Sequence, residues 1–500
     1  MAPATPYQQL EQEFRRLHAL RGALSLLRWD AAVMMPRGSA DVRGEQIAAL
    51  ETECHAVLAS PRLSRLLERA RANELSLEAW QRANIRAMQR QRDHAIATPP
   101  SLIARLAKAV ARAEALWFEA RRQGDFRVLA PALEEVVKLV RDRAVHLGRH
   151  LQLDPYDALL DAFAPGVKAA EFEALLTTIS WRLPQLIEGA IEHQAAQAPL
   201  PFEGRFTASR QRALCVEVMR AVGFPFDRGR LDESERPFTE GVPGDIRVAT
   251  HFDPADPFSG LLGAMHETGQ ALYDLGVPAQ WRDQPVGRDR GLALEQGLSL
   301  LLEMQVGRSR AFVAWIRPLV EKHLGVSGPA WTDENICRRL LRVRRDLVRV
   351  DADELTYPLH IMVRYDLERR LLAGRLRVAD LAETWNEVME ARFGRRPDTD
   401  VEGVLQDMHW VVGSFGYFPA CLLGSSIAAQ LWESLREDCP DLDEAIRRGE
   451  FNGLVSWLRE NVHARGASLT APRLLEEVTG KPLTAAAWLR YVERKYLETI

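Results

Sequence analysis

The sequence predicts a mostly α-helical protein with a small β-sheet, and three observations lead to this fold class. Long windows place Leu, Ala, Val and Met at three- and four-residue spacing among Arg and Glu, which is the period of an amphipathic helix. Proline and glycine interrupt these windows, most clearly at 97–101, 163–166 and 197–205. No low-complexity linker or internal repeat divides the chain. We therefore expect one elongated helical body, a single domain over residues 1–500.

The first part of the chain carries the clearest helical periods. The predicted helical windows are 7–28, 40–58, 61–92, 102–123 and 128–150. A later stretch, GDIRVATHF, alternates Ile246, Val248 and Thr250 with Arg247 and Ala249, which predicts a strand. Two interpretations of this strand stay open: an edge strand that lines a peptide cleft, or a purely structural hairpin.

Composition excludes several classes of partner. The formal net charge is −4 over 500 residues, with acidic and basic side chains interspersed, which gives no electrostatic argument for nucleic acid or an anionic membrane surface. The five cysteines include no C-x-x-C pair, so a reducing cytoplasmic location is expected. The sequence begins without a basic start and apolar core, and no run of about 18 apolar residues occurs. We expect no nucleic-acid and no membrane partner.

The stretch GAMHETGQALYDLG carries part of a zinc-peptidase helix. In the motif H-E-x-x-H two His residues one helical turn apart hold a metal, and the Glu between them is the general base. His266 and Glu267 match the motif, but Gln270 stands at the second His position. Asp274 lies about 12 Å from His266 along a helix axis, too far to replace the lost ligand.

The next predicted helix, from Gly291, is the place to look for a third ligand. It offers the carboxylates Glu295 and Glu303 and the amide Gln296. A neutral amide oxygen is a much weaker zinc ligand than imidazole or carboxylate. A Glu on an apolar helix is also commonly a partner in contacts between helices, and helical period alone leaves both roles open.

Several segments resemble the M32 metallocarboxypeptidases, the carboxypeptidase Taq type, over essentially the whole chain. The family's I-R-x-x-A-D segment resembles VRVDAD, through Arg349, Ala352 and Asp353. Its G-x-x-Q-D-x-H-W motif is matched completely by Gly403, Gln406, Asp407, His409 and Trp410. The resemblance implies a helical fold with a deep central groove, a small sheet beside the H-E-x-x-H-like helix and a homodimer. It also implies removal of C-terminal residues from peptides with zinc or cobalt.

Carried over by position, the resemblance places metal ligands at 266, 270 and 296. This chain keeps His266 and the general base Glu267, while Gln270 and Gln296 stand at the other two ligand positions. The family's H-E-S-Q segment begins at Glu295, so this residue is a possible substitute ligand. We expect no metal, or a weakly bound one, at these residues.

The resemblance also suggests residues that bind the substrate. Arg349 is the candidate for the terminal carboxylate, because a guanidinium can bind both carboxylate oxygens. Arg247, His409 and Tyr417 would line the site, with His409 as a second catalytic candidate. Two structural interpretations remain: Arg349 paired with a carboxylate one turn later at Asp353, and His409 as a core histidine bonded to Asp407 or Gln406.

The family's H-P-F and D-x-R-x-T motifs are altered here as well. Arg236 replaces the His of the first, and Ala249 replaces the Thr of the second. His251 and His360 are further candidates for replacement ligands, although His360 lies in an apolar segment typical of an internally bonded histidine.

Three functions follow from these residues. The first is an M32 carboxypeptidase-like protein that binds peptide C-termini, or a small acid, with zinc-dependent hydrolysis weak or lost. The second is an active metallocarboxypeptidase with a remodelled site built on His266 and Glu295. The third is metal-free acid–base chemistry in the same groove with Glu267, Arg236 and His409.

Overall fold

Helices make up most of the chain, as predicted. The computed structural model describes residues 3–288 and 290–498. Within these residues the α-helices, numbered α1 to α20 in chain order, are Pro6–Val33, Ala40–Ala59, Pro61–Ala72, Ala79–Ile96, Pro100–Gln123, Ala130–Leu151, Pro155–Asp161, Ala169–Ala195, Ala208–Ala221, Ser259–Gly276, Leu292–Leu300, Arg310–Leu324, Asp333–Leu340, Tyr357–Leu372, Leu381–Phe393, Tyr417–Asp438, Leu442–Arg447, Asn452–Asn461, Ala471–Thr479 and Ala485–Glu493.

The predicted helical windows match these bounds, with one division. The window 61–92 is two helices, because α3 ends at Ala72, with Asn73 as its C-cap, and α4 begins after Glu78 with a capping box. The first helix also begins with a capping box, in which Thr5 and Gln8 bond each other's backbone amides. Local capping side chains, which apolar periodicity does not register, therefore set these helix ends.

A three-stranded sheet lies beside α10. The strands are β1 (Gly229–Glu233), β2 (Phe238–Val242) and β3 (Asp245–Thr250), in the spatial order β1-β3-β2. The predicted strand is β3, but it is the central strand and not the edge strand of the sheet. It pairs in parallel with β1 and antiparallel with β2. The edge strand nearest the groove is β2, whose short polar sequence gives a weak strand pattern.

Glycines allow α10, α11 and α16 to pack closely. A Cβ added at Gly269 of α10 would lie 2.5 Å from the carbonyl oxygen of Leu298 on α11. One added at Gly424 of α16 would lie 2.6 Å from Cβ of Gln296. Helix α11 continues into a π-helical turn at Leu301–Val306, and a second π-helical turn covers Arg494–Glu498. This close packing brings the backbone at position 296 against α16.

The second π-helical turn is bonded to the first. Lys495 Nζ donates to the carbonyl oxygen of Met304 at 2.8 Å and to a carboxylate oxygen of Glu354 at 2.7 Å. The hydroxyl of Tyr491 donates to the same Met304 carbonyl at 3.2 Å. The carbonyl of Met304, on the wall of the groove, is therefore held by residues nearly 200 positions later in the chain.

Buried apolar side chains form one extended core and a smaller cluster. The smaller cluster belongs to the first four helices and includes Leu10, Phe14, Leu63 and Met88. Among the described residues, no helix combines the length and the apolar character that crossing a membrane requires. The first four helices therefore have their own apolar centre. Helix α1 contacts strand β2, which places this centre beside the sheet.

Candidate functional site

The groove predicted from the sequence is a cavity of about 940 Å³. Helices α10 and α11 form one wall, and the segment from Arg342 to Tyr357 forms another. The candidate site residues from the sequence that lie on its wall are His266, Glu267, Gln270, Glu295, Gln296, Glu303, Arg349 and Tyr417. The fold thus brings together the predicted metal-site positions and the predicted carboxylate-binding residue.

His266 is held by a carboxylate from the π-helical turn. Its Nδ1 lies 2.9 Å from Oε2 of Glu303, and Arg308 donates to the other oxygen of Glu303 at 3.2 Å. Burial opposes the charge on each group, but the pairing outweighs it and holds the pKa of His266 above, and the pKa of Glu303 below, its ordinary value. A histidine bonded through Nδ1 presents Nε2 as its free ligand atom, and such carboxylate partners orient metal-binding histidines in proteins.

Glu267 is the second preserved residue of the motif. Its Oε2 accepts a 2.7 Å hydrogen bond from the hydroxyl of Thr239 on β2. Burial raises the pKa of Glu267, and the nearby His266 opposes this shift. A carboxylate with a raised pKa, fixed beside a cavity, is a stronger base than an ordinary glutamate.

The two substituted ligand positions do face the cavity. Gln270 extends from α10 and Gln296 from α11, where α16 presses against it at Gly424. In the described part of the chain, no hydrogen bond joins these two amides. Each amide has one neutral oxygen, which accepts hydrogen bonds, and an NH₂ group, which donates them. Neither group is a strong metal ligand.

Glu295 lines the same cavity, but its carboxylate has a different partner. An oxygen of Glu295 lies 3.8 Å from the guanidinium of Arg290, which also donates to Asp274 at 2.8 Å. Burial raises the pKa of Glu295, and Arg290 opposes that shift. Arg290 thus forms ion pairs with both Glu295 and Asp274. The carboxylate of Glu295 already has a positively charged partner and is not available solely as a metal ligand beside His266.

The residues at the family's ligand positions do not fit a tightly bound zinc ion. His266, Gln270 and Gln296 provide one imidazole and two neutral amides, with no anionic ligand. Structural and catalytic zinc sites use imidazole, thiolate and carboxylate ligands. Among the described residues, no group of three or more His, Cys, Asp or Glu is arranged to hold a metal ion. The mismatch with a zinc site thus lies in the ligand atoms, since two of the three are neutral amide groups.

Arg349 is fixed by an acidic residue of the matched motif. Its Nη2 lies 2.8 Å from Oδ1 of Asp407, and its backbone amide donates to Gln406 at 2.8 Å. The alternative partner, Asp353, instead accepts hydrogen bonds from the backbone of Leu355 and Thr356. Residues 349–351 form a 3₁₀ turn, so the α-helical spacing behind that alternative is absent.

Aromatic residues stand beside Arg349. Tyr417 lines the cavity, and the ring of His409 lies behind it with 4.4 Å between centroids. The Nδ1 of His409 is 3.6 Å from Asp407, beyond hydrogen-bond distance, and burial lowers the pKa of His409. Asp407 therefore lies in ion-pair range of His409 without a hydrogen bond of ordinary length, and the ring of His409 packs against Tyr417.

Two predicted substrate-binding residues lie elsewhere. Arg247 stacks over the ring of Trp29 at 4.1 Å and pairs with Asp245 at 3.1 Å. Arg236 is exposed, and only its neighbour Pro237 reaches the cavity wall. Both lie on or beside the sheet, and neither is on the wall that carries His266.

The two other histidines considered as replacement ligands, His360 and His251, each have a backbone carbonyl oxygen as partner. His360 is fully buried and its Nε2 lies 3.1 Å from the carbonyl oxygen of Asp346, which agrees with an internally bonded histidine. His251 is exposed, with Nδ1 3.3 Å from the carbonyl oxygen of Ser234.

Besides the bond from Arg349 to Asp407, sequence reasoning missed three contacts of the site. The carboxylate of Glu303 was considered as a ligand, but its role as the partner of His266 was not predicted. Thr239 and Arg308, which hold Glu267 and Glu303, have no motif that singles them out. The only available signal was the spacing from Gln296 to Glu303, which is two helical turns and puts both on one face.

Comparison with known proteins identifies the same family as the sequence motifs. The family model described as "Carboxypeptidase Taq (M32) metallopeptidase" matches residues 9–496. Thermostable carboxypeptidase 1 of Pyrococcus furiosus is 32% identical over 494 residues, covering 98% of each chain. Carboxypeptidase 1 of Bacillus subtilis is 30% identical over 496 residues, covering 97% of this chain and 98% of the relative.

Solved structures agree in fold. Trypanosoma cruzi metallocarboxypeptidase 1 superposes with a TM-score of 0.95 at 35% identity, covering 98% of this chain and 99% of that structure. The M32 carboxypeptidase from Deinococcus radiodurans R1 gives a TM-score of 0.93 at 32% identity and covers 98% of each. The similarity therefore extends through both walls of the cavity, and the chain belongs to the carboxypeptidase Taq (M32) family of metallopeptidases.

Proposed function

We propose that this protein binds peptide C-termini in the large cavity and that its zinc-dependent hydrolysis is weak or lost. The observation that carries the proposal is the pair of amides, Gln270 and Gln296, at two of the three family ligand positions. His266, Glu267 and Arg349 remain in the same cavity. The proposed carboxylate-binding residue Arg349 and the general base Glu267 are therefore kept, whereas two of the three proposed metal ligands are replaced by amides.

The free energy that a bound zinc ion contributes to activating water supports weak or absent hydrolysis here. A zinc peptidase lowers the pKa of bound water from about 15.7 toward about 7, which corresponds to roughly 12 kcal/mol. Glu267 cannot replace this effect, because a carboxylate is too weak a base to deprotonate free water effectively. Zinc or cobalt, the metals expected from the resemblance, would bind weakly to one imidazole and two amides.

Recognition of a peptide end rests on Arg349. Its guanidinium lies at the cavity wall with its orientation fixed by Asp407, and a guanidinium matches the geometry of a carboxylate. Tyr417 lies beside it, with His409 behind. In this proposal Arg349 binds the carboxylate of a peptide C-terminus or of a small acid. Contacts of Arg247 and Arg236 with a longer ligand remain predictions.

The second candidate is an active metallocarboxypeptidase with a remodelled site. The observation in its favour is that Glu295 lines the same cavity as His266. The observation against it is the 3.8 Å approach of Arg290 to that carboxylate. Metal-free acid–base chemistry with Glu267, Arg236 and His409 remains a lesser alternative. A single domain over 1–500, a homodimer and a cytoplasmic location remain part of the proposal.

Metal content separates the two main candidates. Untagged protein, purified without chelators and incubated with excess zinc or cobalt, is analysed for metal per chain and for release of C-terminal residues from peptides. We expect well under one metal per chain and no release, with peptide binding measured by calorimetry. Binding is expected to require a free C-terminal carboxylate and to fall for Arg349→Lys, because Lys lacks the planar fork. One zinc per chain together with turnover that Glu295→Ala abolishes would establish the remodelled peptidase instead.

Restoring the ligands provides a gain-of-function test. The double variant Gln270→His/Gln296→Glu is expected to bind about one zinc per chain, because both side chains already face the cavity beside His266. Adding Glu303→Gln should weaken that binding about 10- to 100-fold through loss of the orienting carboxylate. A double variant that binds no zinc would mean that the site differs from the family by more than these two ligands.

A further inference from the structure

Arginines are prominent on the wall of the large cavity, and most of them have a partner. The arginines that line it are Arg308, Arg339, Arg342, Arg344 and Arg349. Three have a carboxylate within ion-pair distance, in the pairs Arg308–Glu303, Arg344–Asp346 and Arg349–Asp407. Arg339 lies over the ring of Phe202 at 4.5 Å. Within the described residues, the side chain of Arg342 has no hydrogen-bond, ion-pair or aromatic partner, and its Nη1 is buried.

The backbone on both sides of Arg342 is held by one buried side chain. Nε2 of Gln194, on α8, donates to the carbonyl oxygen of Leu341 at 2.8 Å, and Oε1 of Gln194 accepts from the N–H of Val343 at 3.0 Å. The side chains of Leu341 and Val343 are buried in the main core, whereas Arg342 lines the cavity. Gln194 therefore fixes the position from which Arg342 extends but leaves its guanidinium without a bond.

Arg308 connects this segment to the π-helical turn beside His266. Its guanidinium donates to the carbonyl oxygen of Leu340 at 2.9 Å and to Glu303 at 3.2 Å. Arg342 follows Leu340 by two residues, which span at most about 7 Å of chain. Arg342 therefore lies on the side of the cavity that carries Glu303, the partner of His266.

A buried amide on the same π-helical turn also lacks a partner. Gln305 is only 4% exposed and lines the cavity, and its Oε1 has no hydrogen-bond partner among the described residues. A buried polar atom without a hydrogen bond destabilises a protein, so this oxygen gains from a ligand that offers an N–H group. An acidic amino-acid residue carries both an N–H group for Gln305 and a carboxylate for Arg342.

The acidic side chains of this wall do not compete for Arg342. Glu303 pairs with Arg308, and Glu354 pairs with Lys495 at 2.7 Å. In the described part of the chain, no carboxylate lies within ion-pair distance of Arg342. These carboxylates therefore leave the positive charge of Arg342 to a ligand.

We propose that Arg342 binds a second carboxylate of the ligand, so that the protein prefers peptides whose C-terminal residue is aspartate or glutamate. This inference rests on the proposed binding of peptide C-termini. The terminal carboxylate lies at Arg349, and the side-chain carboxylate of the same residue reaches Arg342 on the wall of the same cavity. A hydrogen bond between a guanidinium and a carboxylate is stronger than one to a neutral amide, which gives the preference for the acid.

Peptides that differ only in their last residue test this preference in the native protein. Glutamate and glutamine, and likewise aspartate and asparagine, have nearly the same shape and differ in charge. By calorimetry, at least one acid should bind about tenfold more tightly than its amide. Acids that bind no better than their amides would overturn the inference while the proposed function stands. Absence of binding by every peptide, including one that ends in alanine, would overturn the proposed function and this inference with it.

Variants at position 342 test whether this residue causes the preference. Arg342→Gln should keep native stability in urea and native affinity for the peptide that ends in alanine, because the guanidinium has no partner in the protein. Its ratio of acid to amide affinity should fall to about one, and Arg342→Glu should bring it below one. The matched control is Arg344→Gln, which removes a cavity-lining arginine already paired with Asp346 and should keep the native ratio. A native ratio in Arg342→Gln would overturn the inference.

Discussion

Arg364, whose side chain has no solvent exposure, donates a 2.6 Å hydrogen bond from Nε to Oδ2 of Asp407. The other oxygen of the same carboxylate receives Arg349 from the cavity wall. Burial would raise the pKa of Asp407, but Arg364 and Arg349 outweigh burial and hold it well below its usual range. The carboxylate of Asp407 thus connects the buried Arg364 to the proposed anion-binding residue Arg349.

Replacing Asp407 by Ala should destabilise the protein by about 3 to 5 kcal/mol, because Arg364 would remain buried without its counter-charge. Urea unfolding followed by circular dichroism measures the free energy of unfolding. The control is Asp380→Ala, which removes an ion pair with Arg377 that lies on the surface and should leave stability unchanged. A loss below about 1 kcal/mol for Asp407→Ala would mean that Arg364 finds another partner.

Gly424→Ala tests the close packing of α16 on α11. The new methyl group would lie 2.6 Å from Cβ of Gln296, so one helix must shift, at a cost of about 1 to 3 kcal/mol. Gly453→Ala is the matched control in α18, where nothing lies within 4 Å of the added atom, and there Ala should be neutral or stabilising. Thermal and urea unfolding of both variants measure the difference. Equal effects at the two positions would contradict the packing argument.

The buried carboxyl of Glu368 should make stability depend on pH. It accepts hydrogen bonds from Tyr156, Trp410 and the backbone of Gly416, yet burial raises its pKa from 4.5 to about 7. Between pH 4.5 and about pH 7, Glu368 is ionised in the unfolded chain but still protonated in the folded protein. Stability from this group is therefore complete below about pH 4.5 and falls by about 3 kcal/mol as pH rises through 7.

The measurement is the free energy of unfolding at pH 5, 6 and 7 for Glu368→Gln and the native protein. The amide cannot ionise, so the variant should lose less stability over this range than the native protein. Glu387→Gln on α15, at an exposed position, is the control and should keep the native slope. Parallel slopes for Glu368→Gln and the native protein would show that Glu368 does not titrate in this range.

The sequence was informative where structure depends on local period and short motifs. The apolar spacing located the first helices, and the motif residues His266, Glu267 and Arg349 lie on one cavity as expected. The place of the predicted strand β3 in the sheet was left open, because strand order depends on contacts between distant segments and alternation in β3 does not reveal its neighbours. The partners of His266 and Arg349 were missed for the same reason, since Glu303 and Asp407 reach them through helix packing.

The bond from Lys495 to the carbonyl of Met304 makes one wall of the site depend on residues synthesised long after its motif residues. The π-helical turn that carries Glu303 is held from behind by residues 491–496, so the site wall is complete only after those residues have left the ribosome. Domains otherwise begin to fold from the N-terminus during synthesis. A nascent chain that stalls or is cut before Tyr491 would keep every motif residue of the site and still lack its rear support.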